Sequence, residues 1–403
     1  MFYSPLTDEL RQEPDRDFTI PLTETLKSGP NRSFIPGTSL QWCYDSVSLK
    51  LLQGCLRKYD FKLLQGWQWT DLPPALAWGR DLHTCLETYH KCRAYGLDFE
   101  TSMKRVARLA ALLGEQLQSL DTSRTKETLV RSVVWYLDEY KDDPLKTAML
   151  PNGKPAVELS FLLPIFDLEV GPTDELPEPD IREIEEWARQ QEPRVSLSQV
   201  TEILRGGRKL FGKLVWSGAD LPPEWVKSFY TITIHFSGHI DRVVHFGDEV
   251  FVTDYKSSKY QLTLDWIKGF DMSTQFEGYY TAAHILASQP NSVFPSPPAG
   301  VLVDGLQLGV NFTRFSRFPL RYSASVADEF LSNFEALVRC KAEPAARFGL
   351  YPREAESECN HYRRMDGTGG CEFLPVCKAA PAAREYELNQ RFVKSIWDPS
   401  QSR

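Results

Sequence analysis

The fold of this chain is decided by two stretches, Gly238-His239-Ile240-Asp241-Arg242 and Val252-Thr253-Asp254-Tyr255-Lys256. Between them, Phe246-Gly247-Asp248-Glu249 is typical of a tight hairpin turn with glycine in its first central position. A turn that is symmetric about its central pair places Asp241 directly opposite Asp254. Facing residues on paired strands have Cβ atoms roughly 5 Å apart. The sequence therefore predicts two carboxylates side by side on one face of a hairpin.

Two carboxylates at that separation repel each other, and a divalent cation between them removes the conflict. Lys256 lies two residues beyond Asp254, so it projects from the same face. An Asp pair and a Lys around one cation can bind a phosphate, activate a water and stabilise a developing oxyanion. The alternative is an ordinary hairpin with solvent-facing charges. Apolar residues on both faces of the two strands favour a central sheet instead, and a three-residue loop would shift the pairing and remove the argument.

Composition limits the class of protein. The chain has 403 residues, 42% of them hydrophobic and 12% aromatic, which predicts one large or two modest globular domains. The sequence contains no run of about 18 apolar residues, so it predicts no membrane span. Residues 1–31 lack the pattern of a secretory signal, so we expect a cytoplasmic protein. Eight cysteines in such a compartment favour thiols or metal ligands over disulfides.

The net charge of −8 is concentrated in one segment. Residues 167–187 carry nine acids against one arginine, and the rest of the chain is balanced. Basic clusters at 205–209, 314–321 and 363–364 fit either a local phosphate track or a solvated mixed surface. Composition does not distinguish these two interpretations.

The pattern of apolar residues predicts an α/β fold, a central mixed β-sheet flanked by helices, with a mainly helical N-terminal half. Ser46 or Ser48 is the expected cap of the first helix. The predicted helices cover about 46–63, 74–95, 99–120, 125–140, 180–191, 196–204, 262–287 with a break near Gly269, and 324–342. The predicted strands are 155–164, 230–236, the two of the hairpin, and 300–308.

Two predicted helices carry further candidate site residues. Gly79, His83 and Glu87 recur every four residues and share one helix face. A histidine with a carboxylate one turn away is a metal candidate, and the alternative is a satisfied core or surface histidine. Gln275 and Tyr279 form a similar pair on the helix after Lys256, and taken alone that pair indicates packing or surface.

Four cysteines have clustered or paired positions. Cys359, Cys371 and Cys377 lie near the C-terminus, and Cys55 lies far upstream. Clustered thiolates suit zinc or an iron–sulfur cluster, although the spacing is not that of a zinc ribbon. The other cysteines, at 43, 85, 92 and 340, are expected to be ordinary thiols.

In this order, these motifs resemble the PD-(D/E)XK nuclease superfamily, in particular its RecB-like exonuclease branch. That branch includes the AddB nuclease domain, the CRISPR spacer-acquisition nucleases and many phage-encoded members. The motifs that carry the resemblance are Ser46–Tyr59, Gly79–Glu87, Gly238–Arg242, Asp254–Lys256 and Gln275–Tyr279. One departure is Leu56, which stands where the family has a proline.

The resemblance implies a role for each residue. His83, Asp241, Asp254 and the backbone carbonyl of Tyr255 would bind Mg²⁺ or Mn²⁺, and the imidazole favours Mn²⁺. Lys256 would orient the attacking water and steady the phosphate. Gln275 and Tyr279 would hold the substrate strand, and Glu158 and Glu87 are weaker candidates for supporting or second-metal roles.

The same branch often carries a [4Fe–4S] cluster held by one N-terminal and three C-terminal cysteines. Here the resemblance implies Cys55, Cys359, Cys371 and Cys377 as its ligands. The departure is the spacing of eleven residues between Cys359 and Cys371, where some relatives have two. Such a cluster would be structural and would join distant parts of the chain.

The resulting hypothesis is a Mg²⁺- or Mn²⁺-dependent deoxyribonuclease, an exonuclease acting on DNA ends or single strands. A non-catalytic DNA-binding or assembly subunit and a zinc-stabilised regulatory protein are the alternatives. A helicase, a recombinase or an integration complex is the kind of partner expected. The predicted organisation is an irregular arm at 1–40, a helical region with Cys55 and His83 at 41–150, a nuclease core at 151–345 with an insertion at about 170–228, and a cysteine-rich tail at 346–403.

Overall fold

The computed structural model describes residues 33–35, 39–70, 74–117, 123–170, 230–289, 296–354 and 370–395, with isolated positions between and after these ranges. It divides into a main unit, residues 1–164 with 235–403, and a small unit, residues 165–234. In the small unit, the Thr233 hydroxyl donates a hydrogen bond of 2.7 Å to Asp167. Most of the predicted arm and insertion, with the helices at 180–191 and 196–204, lies outside the described residues.

A seven-stranded mixed sheet is the centre of the described structure. Strands β1, β5, β6, β7 and β8 follow one another across it, and β3 and β4 both pair with β5. The β5–β6 and β7–β8 pairs are antiparallel, and β6–β7 is parallel. The strands are β1 (Cys43–Tyr44), β2 (Trp67–Trp69), β3 (Lys146–Thr147), β4 (Val157–Val170), β5 (Tyr230–Phe246), β6 (Glu249–Ser258), β7 (Gly300–Leu308), β8 (Thr313–Arg321) and β9 (Phe392–Lys394).

Helices cover the sheet and connect its parallel strands. Those that the structure describes are α1 (Ser46–Gly54), α2 (Leu56–Tyr59), α3 (Pro74–Ala94), α4 (Phe99–Gly114), α5 (Lys126–Glu139), α6 (Leu264–Lys268), α7 (Thr274–Ala287), α8 (Ala324–Leu337), α9 (Glu343–Phe348), α10 (Leu374–Lys378) and α11 (Arg384–Arg391). Because β6 and β7 are parallel, the chain crosses from one to the other through α6 and α7. The predicted α/β class with a mixed sheet flanked by helices is confirmed.

The main hydrophobic core lies between the sheet and the N-terminal helices. Helices α3, α4 and α5 pack together through buried residues such as Trp78, Leu109 and Val133. The same cluster includes Tyr255 of β6 and Leu306 of β7. Burying a large apolar side chain contributes about 1.5–3 kcal/mol, so these contacts hold α3 firmly against the sheet. Helix α3 carries His83, and its packing therefore positions one of the predicted site residues.

Several boundaries differ from the predictions, for local reasons. Asp45 caps α1 by accepting a 2.8 Å hydrogen bond from the Ser48 backbone N–H, so neither predicted serine is the cap. The predicted helix over 46–63 is interrupted at Cys55, whose backbone is extended, and continues as α2 and a π-helical turn at 60–64. The strand at 230–236 and the first strand of the hairpin are one continuous strand, β5, since Gly238 does not interrupt it.

The sequence analysis did not predict several strands and helices that depend on distant partners. Strand β8 occupies a stretch that the composition marked only as a basic cluster, and its pairing with β7 runs from Gly300↔Arg321 to Leu308↔Thr313. The tail beyond residue 348 is more regular than expected, with α10, α11 and β9. Strand β9 pairs with β2, more than 300 residues away in the chain.

Candidate active site

The hairpin formed by β5 and β6 has the register that the sequence predicted. Phe246 lies opposite Glu249, and Gly247 adopts a left-handed φ of 61° in the turn. The ladder continues to the pair Arg242↔Thr253, one position before Asp241 and Asp254. Beyond that point, Asp241 Oδ2 accepts a 3.0 Å hydrogen bond from the Tyr255 backbone N–H. The Asp241 side chain is therefore held beside β6 at the end of the ladder.

His83 joins this group from helix α3. Its Nδ1 lies 3.2 Å from Asp241 Oδ2, and its Nε2 lies 3.1 Å from the carbonyl oxygen of Tyr255. Burial opposes the charged imidazole, but the charges of Asp241, Asp254 and Glu158 outweigh it and raise the pKa of His83 to about 9. With both ring nitrogens protonated, each donates to one of these oxygens. A metal ion that bound His83 would take the place of one of the two protons.

Glu158 completes a set of donors that fits one metal ion. One ligand atom from each of His83, Glu158 and Asp241 lies within 4.8 Å of the other two. An imidazole and two carboxylates suit Mn²⁺, and carboxylate oxygens also suit Mg²⁺. Glu158 has a left-handed φ of 53°, a conformation that costs a non-glycine residue roughly 1–3 kcal/mol and is concentrated at functional sites. The second residue of β4 is thus strained, and its carboxylate belongs to the donor set.

Asp254 is buried beside a different set of groups. Its Oδ2 lies 2.7 Å from Lys256 Nζ, and its Oδ1 accepts a 3.0 Å hydrogen bond from Gln275 Nε2. Burial, aided by the like charge of Asp241, raises the pKa of Asp254 to about 6, although Lys256 opposes that shift. Burial also disfavours the ionised form of Asp241, yet its contact with His83 holds the pKa of Asp241 below the ordinary value. The two carboxylates therefore have separate partners.

Helix α7 holds the Lys256 side chain in place. Gln275 Oε1 accepts a 3.1 Å hydrogen bond from Lys256 Nζ, and Gln275 Nε2 also lies 3.2 Å from the hydroxyl oxygen of Tyr279. A Cβ added at Gly238 would come within 2.6 Å of the Phe161 ring and 3.2 Å of the Tyr279 ring. The glycine of the Gly238–Arg242 motif is therefore required by packing next to Tyr279.

Glu87, the weaker candidate on α3, is brought to a different partner. Its carboxylate accepts a 2.8 Å hydrogen bond from Lys91, one turn further along the helix. Among the described residues, the group of possible ligands around His83 includes neither Glu87 nor Asp254. Asp254 instead contacts Lys256, the lysine of the same hairpin.

Arg242 has a role that the sequence analysis did not assign. The guanidinium is buried, donates to Thr147 Oγ1 at 3.0 Å and to the Leu145 carbonyl at 3.0 Å, and lies 3.3 Å from His90 Nε2. It therefore fixes β5 next to Asp241. The signal in the sequence was an arginine within an apolar strand, which requires buried partners.

Asp304 is a second residue that the sequence analysis missed. It lies opposite Tyr255 on β7, is fully buried, and accepts hydrogen bonds from the Tyr136 hydroxyl at 2.6 Å and from Arg317 at 2.8 Å. Arg317 also forms an ion pair with Asp143. Within the arginine cluster of β8, Arg317 therefore forms internal ion pairs, whereas Arg321 pairs with Glu249 at the surface.

Two of the four cysteines expected as cluster ligands lie close together. Their backbones are joined by a hydrogen bond of 2.9 Å, which the Cys371 N–H donates to the Cys359 carbonyl. Burial raises the pKa of Cys371 and of Cys377, and the neighbouring cysteines, including Cys55 for Cys377, raise it further. Within the described part of the chain, no three of these sulfur atoms lie within 4.8 Å of one another, as a single zinc ion would require.

The fold and the site define a class. A mixed sheet flanked by helices is consistent with the restriction-endonuclease-like fold, and here acidic residues, a lysine and a histidine meet at the end of its central hairpin. The profile of the PD-(D/E)XK nuclease superfamily matches residues 165–378, just over half of the chain, and the chain belongs to that superfamily. The match includes Asp241, Asp254 and Lys256, and His83 and Glu158 lie before it.

No curated protein matches the chain at a significant level. None of the helices in the described residues has both the length and the apolar composition that crossing a bilayer requires.

Proposed function

We propose that the protein is a metal-dependent DNA nuclease that hydrolyses phosphodiester bonds at DNA ends or in single strands. The observation that supports this best is the convergence of His83, Glu158 and Asp241 within 4.8 Å, beside the contact between Asp254 and Lys256. Each charged group costs free energy to bury. An imidazole, three buried or half-buried carboxylates and a lysine at one place therefore indicate a functional site and not a purely structural hairpin.

His83, Asp241 and Glu158 would hold Mg²⁺ or Mn²⁺, with the Tyr255 carbonyl and Asp254 as further ligands. Such an ion polarises a phosphate and lowers the pKa of a bound water. The protein's own side chains would supply the remaining stabilisation of charge on the phosphate. Lys256 is positioned by Gln275 and Asp254, so its ammonium can donate hydrogen bonds to a non-bridging phosphate oxygen or to the attacking water.

Substitution of the charged residues tests this proposal. With Mn²⁺ and labelled single-stranded or linear duplex DNA, Asp254→Asn and Lys256→Ala should lower the cleavage rate by at least about 100-fold, since each removes charge stabilisation of the transition state. Asp248→Asn in the exposed turn of the same hairpin and Lys104→Ala on the surface of α4 are the matched controls. Undiminished cleavage by either site variant would contradict the assignment. Tight DNA binding without any cleavage by the unaltered protein would favour a non-catalytic subunit.

We also propose the RecB-like branch and a structural [4Fe–4S] cluster on Cys55, Cys359, Cys371 and Cys377. The support is that Cys371 and Cys377 pack beside the β2–β9 pair, where the tail meets the N-terminal region, and that Cys359 and Cys55 lie near enough to raise the pKa of Cys377. An anaerobic preparation should be brown and contain iron and sulfide. Cys377→Ser should lose the colour and the exposed Cys340→Ser should keep it, whereas a colourless protein with stoichiometric zinc would exclude the cluster.

A further inference from the structure

The segment between Lys256 and Gln275, residues 257–274, carries an unusual amount of exposed apolar surface, and we call it the link. Tyr260, Leu264 and Met272 are 77%, 72% and 82% exposed. Among the described residues, these are the three most exposed large hydrophobic side chains. Three such side chains within thirteen residues make this segment a candidate interaction surface.

The inner side of the link is firmly packed. The Trp266 ring lies 4.9 Å from the Phe270 ring and 5.8 Å from the Phe318 ring, and Phe270 lies 5.3 Å from Phe276. Phe276 in turn lies beneath Lys256, whose Nζ is 5.4 Å from the ring centroid. The exposed side chains therefore belong to an ordered segment that is coupled to the predicted catalytic lysine.

The link lies on the face of the sheet that carries Lys256. In the parallel β6–β7 ladder, Lys256 is paired with Gly305. A Cβ added at Gly305 would come within 3.2 Å of both Leu262 and Trp266, so the link covers the sheet at this position. The hydrogen bond from Lys256 to Gln275 joins the two ends of the link. A DNA strand held at Lys256 would run beside it.

The backbone of the link is held in a defined conformation. Ser258 Oγ accepts a hydrogen bond from the Tyr260 N–H at 3.0 Å and donates one to the Tyr260 carbonyl at 3.2 Å. Thr263 caps α6 by accepting from the Trp266 N–H at 3.2 Å. Met272 has a left-handed φ of 57°. Side chains presented by an ordered backbone lose less conformational freedom when a ligand binds.

The charge of the link distinguishes between possible ligand groups. The link carries two lysines, Lys259 and Lys268, against two aspartates, Asp265 and Asp271, and Lys268 pairs with Asp265 at 2.8 Å, so the segment has no net positive charge to attract phosphate. Aromatic and aliphatic side chains instead suit the flat faces of nucleic-acid bases. Those faces are accessible in single strands and frayed ends and are stacked inside a duplex.

From this arrangement we infer that Tyr260, Leu264 and Met272 bind the bases of unpaired nucleotides in the substrate strand, with Tyr260 as the stacking residue. The inference rests on the proposed nuclease function and adds a preference for single-stranded over duplex DNA. Tyr260 follows Lys256 by four residues and Met272 precedes Gln275, the partner of Lys256, by three, and this closeness in the chain favours the substrate strand over a protein partner as the occupant.

Binding of a fluorescent single-stranded 20-mer to the full chain in EDTA tests the inference without requiring cleavage. Tyr260→Ser should weaken binding about tenfold, within the range for loss of one base–aromatic stack, and Leu264→Ser should weaken it to a smaller extent. Tyr260→Phe should restore binding because the ring is retained. Tyr386→Ser, which removes a tyrosine that is 65% exposed on α11, is the matched control. Unchanged binding by both Tyr260→Ser and Leu264→Ser would overturn the inference, as would an equal loss in the control.

Cleavage kinetics separate the failure of this inference from failure of the proposed function. With Mn²⁺, Tyr260→Ser should raise KM for the single strand and leave hydrolysis of methyl p-nitrophenyl phosphate unchanged, because that diester has no base. An equal loss on both substrates would show damage to the Lys256 site and overturn the inference. If the unaltered protein cuts no DNA, the nuclease proposal fails, and the binding comparison still decides the role of Tyr260.

Discussion

Asp241 has two functions that substitution can separate. Its carboxylate accepts a hydrogen bond from the Tyr255 N–H and also contributes charge to the donor set with His83. Asp241→Asn keeps an oxygen that can accept the backbone hydrogen bond but removes the charge. Asp241→Ala removes both. The two variants should therefore differ in stability while both lose metal binding.

The expected stability difference can be worked out from the buried hydrogen bond. In Asp241→Ala the Tyr255 N–H loses its acceptor, and leaving a buried donor unsatisfied costs about 1–3 kcal/mol. A neutral hydrogen bond contributes about 0.5–1.5 kcal/mol, so Asp241→Asn should retain much of this stabilisation. In EDTA, we expect Asp241→Ala to unfold about 1–2 kcal/mol more easily than Asp241→Asn.

Urea denaturation with and without Mn²⁺ measures both effects. An ion at 100 times its Kd stabilises a folded protein by about 2.7 kcal/mol, and both variants should lose most of this gain. Asp248→Asn and Asp248→Ala, in the exposed turn, should each change stability by less than about 0.5 kcal/mol. Equal stability of the two Asp241 variants in EDTA would refute the backbone role. A full Mn²⁺ gain in Asp241→Asn would refute the ligand role.

Three further substitutions test the surroundings of the site. Glu158→Gly and Glu158→Gln should weaken Mn²⁺ binding to the same extent. In EDTA, Glu158→Gly should be at least as stable as Glu158→Gln, because glycine accepts the left-handed φ of this position. A less stable Glu158→Gly would argue against that conformation. Tyr136→Phe should lower the free energy of unfolding by about 1–3 kcal/mol, since Asp304 loses a 2.6 Å hydrogen bond, and an unchanged urea midpoint would contradict this. Gly238→Ala should cost about 1–3 kcal/mol by pressing on the Phe161 ring, measurable as a lower melting temperature, and a tolerated alanine would show that the ring can move away.

Local sequence predicted the part of the site that lies on one hairpin. The turn at Gly247 set the register of β5 and β6, and counting from it placed Asp241 and Asp254 next to each other at the end of the ladder. The four-residue spacing of Gln275 and Tyr279 likewise predicted one helix face. These features are short-range, so a turn type and a helical period are sufficient to derive them.

Other features required the folded chain. Glu158 was only a weak candidate, because its left-handed backbone and its approach to His83 do not show in the sequence. The internal ion pairs of Arg317 were mistaken for part of a surface cluster, since their partners come from separate elements. The short strands β2 and β9 contain three residues each and exist only because they meet.

The sequence by itself determined the hairpin register, because the turn that sets it is local. It also determined the α/β class and the superfamily, because the apolar periodicities and the short motifs that indicate them can each be read locally and follow one another in order along the chain. Only the tertiary structure decided which residues share one site. His83, Glu158 and Asp241 lie on three separate elements, and packing of α3 and β4 against β5 brings their side chains together. Packing of the link against Gly305 and Phe318, and of Phe276 beneath Lys256, likewise depends on tertiary contacts that no local pattern determines.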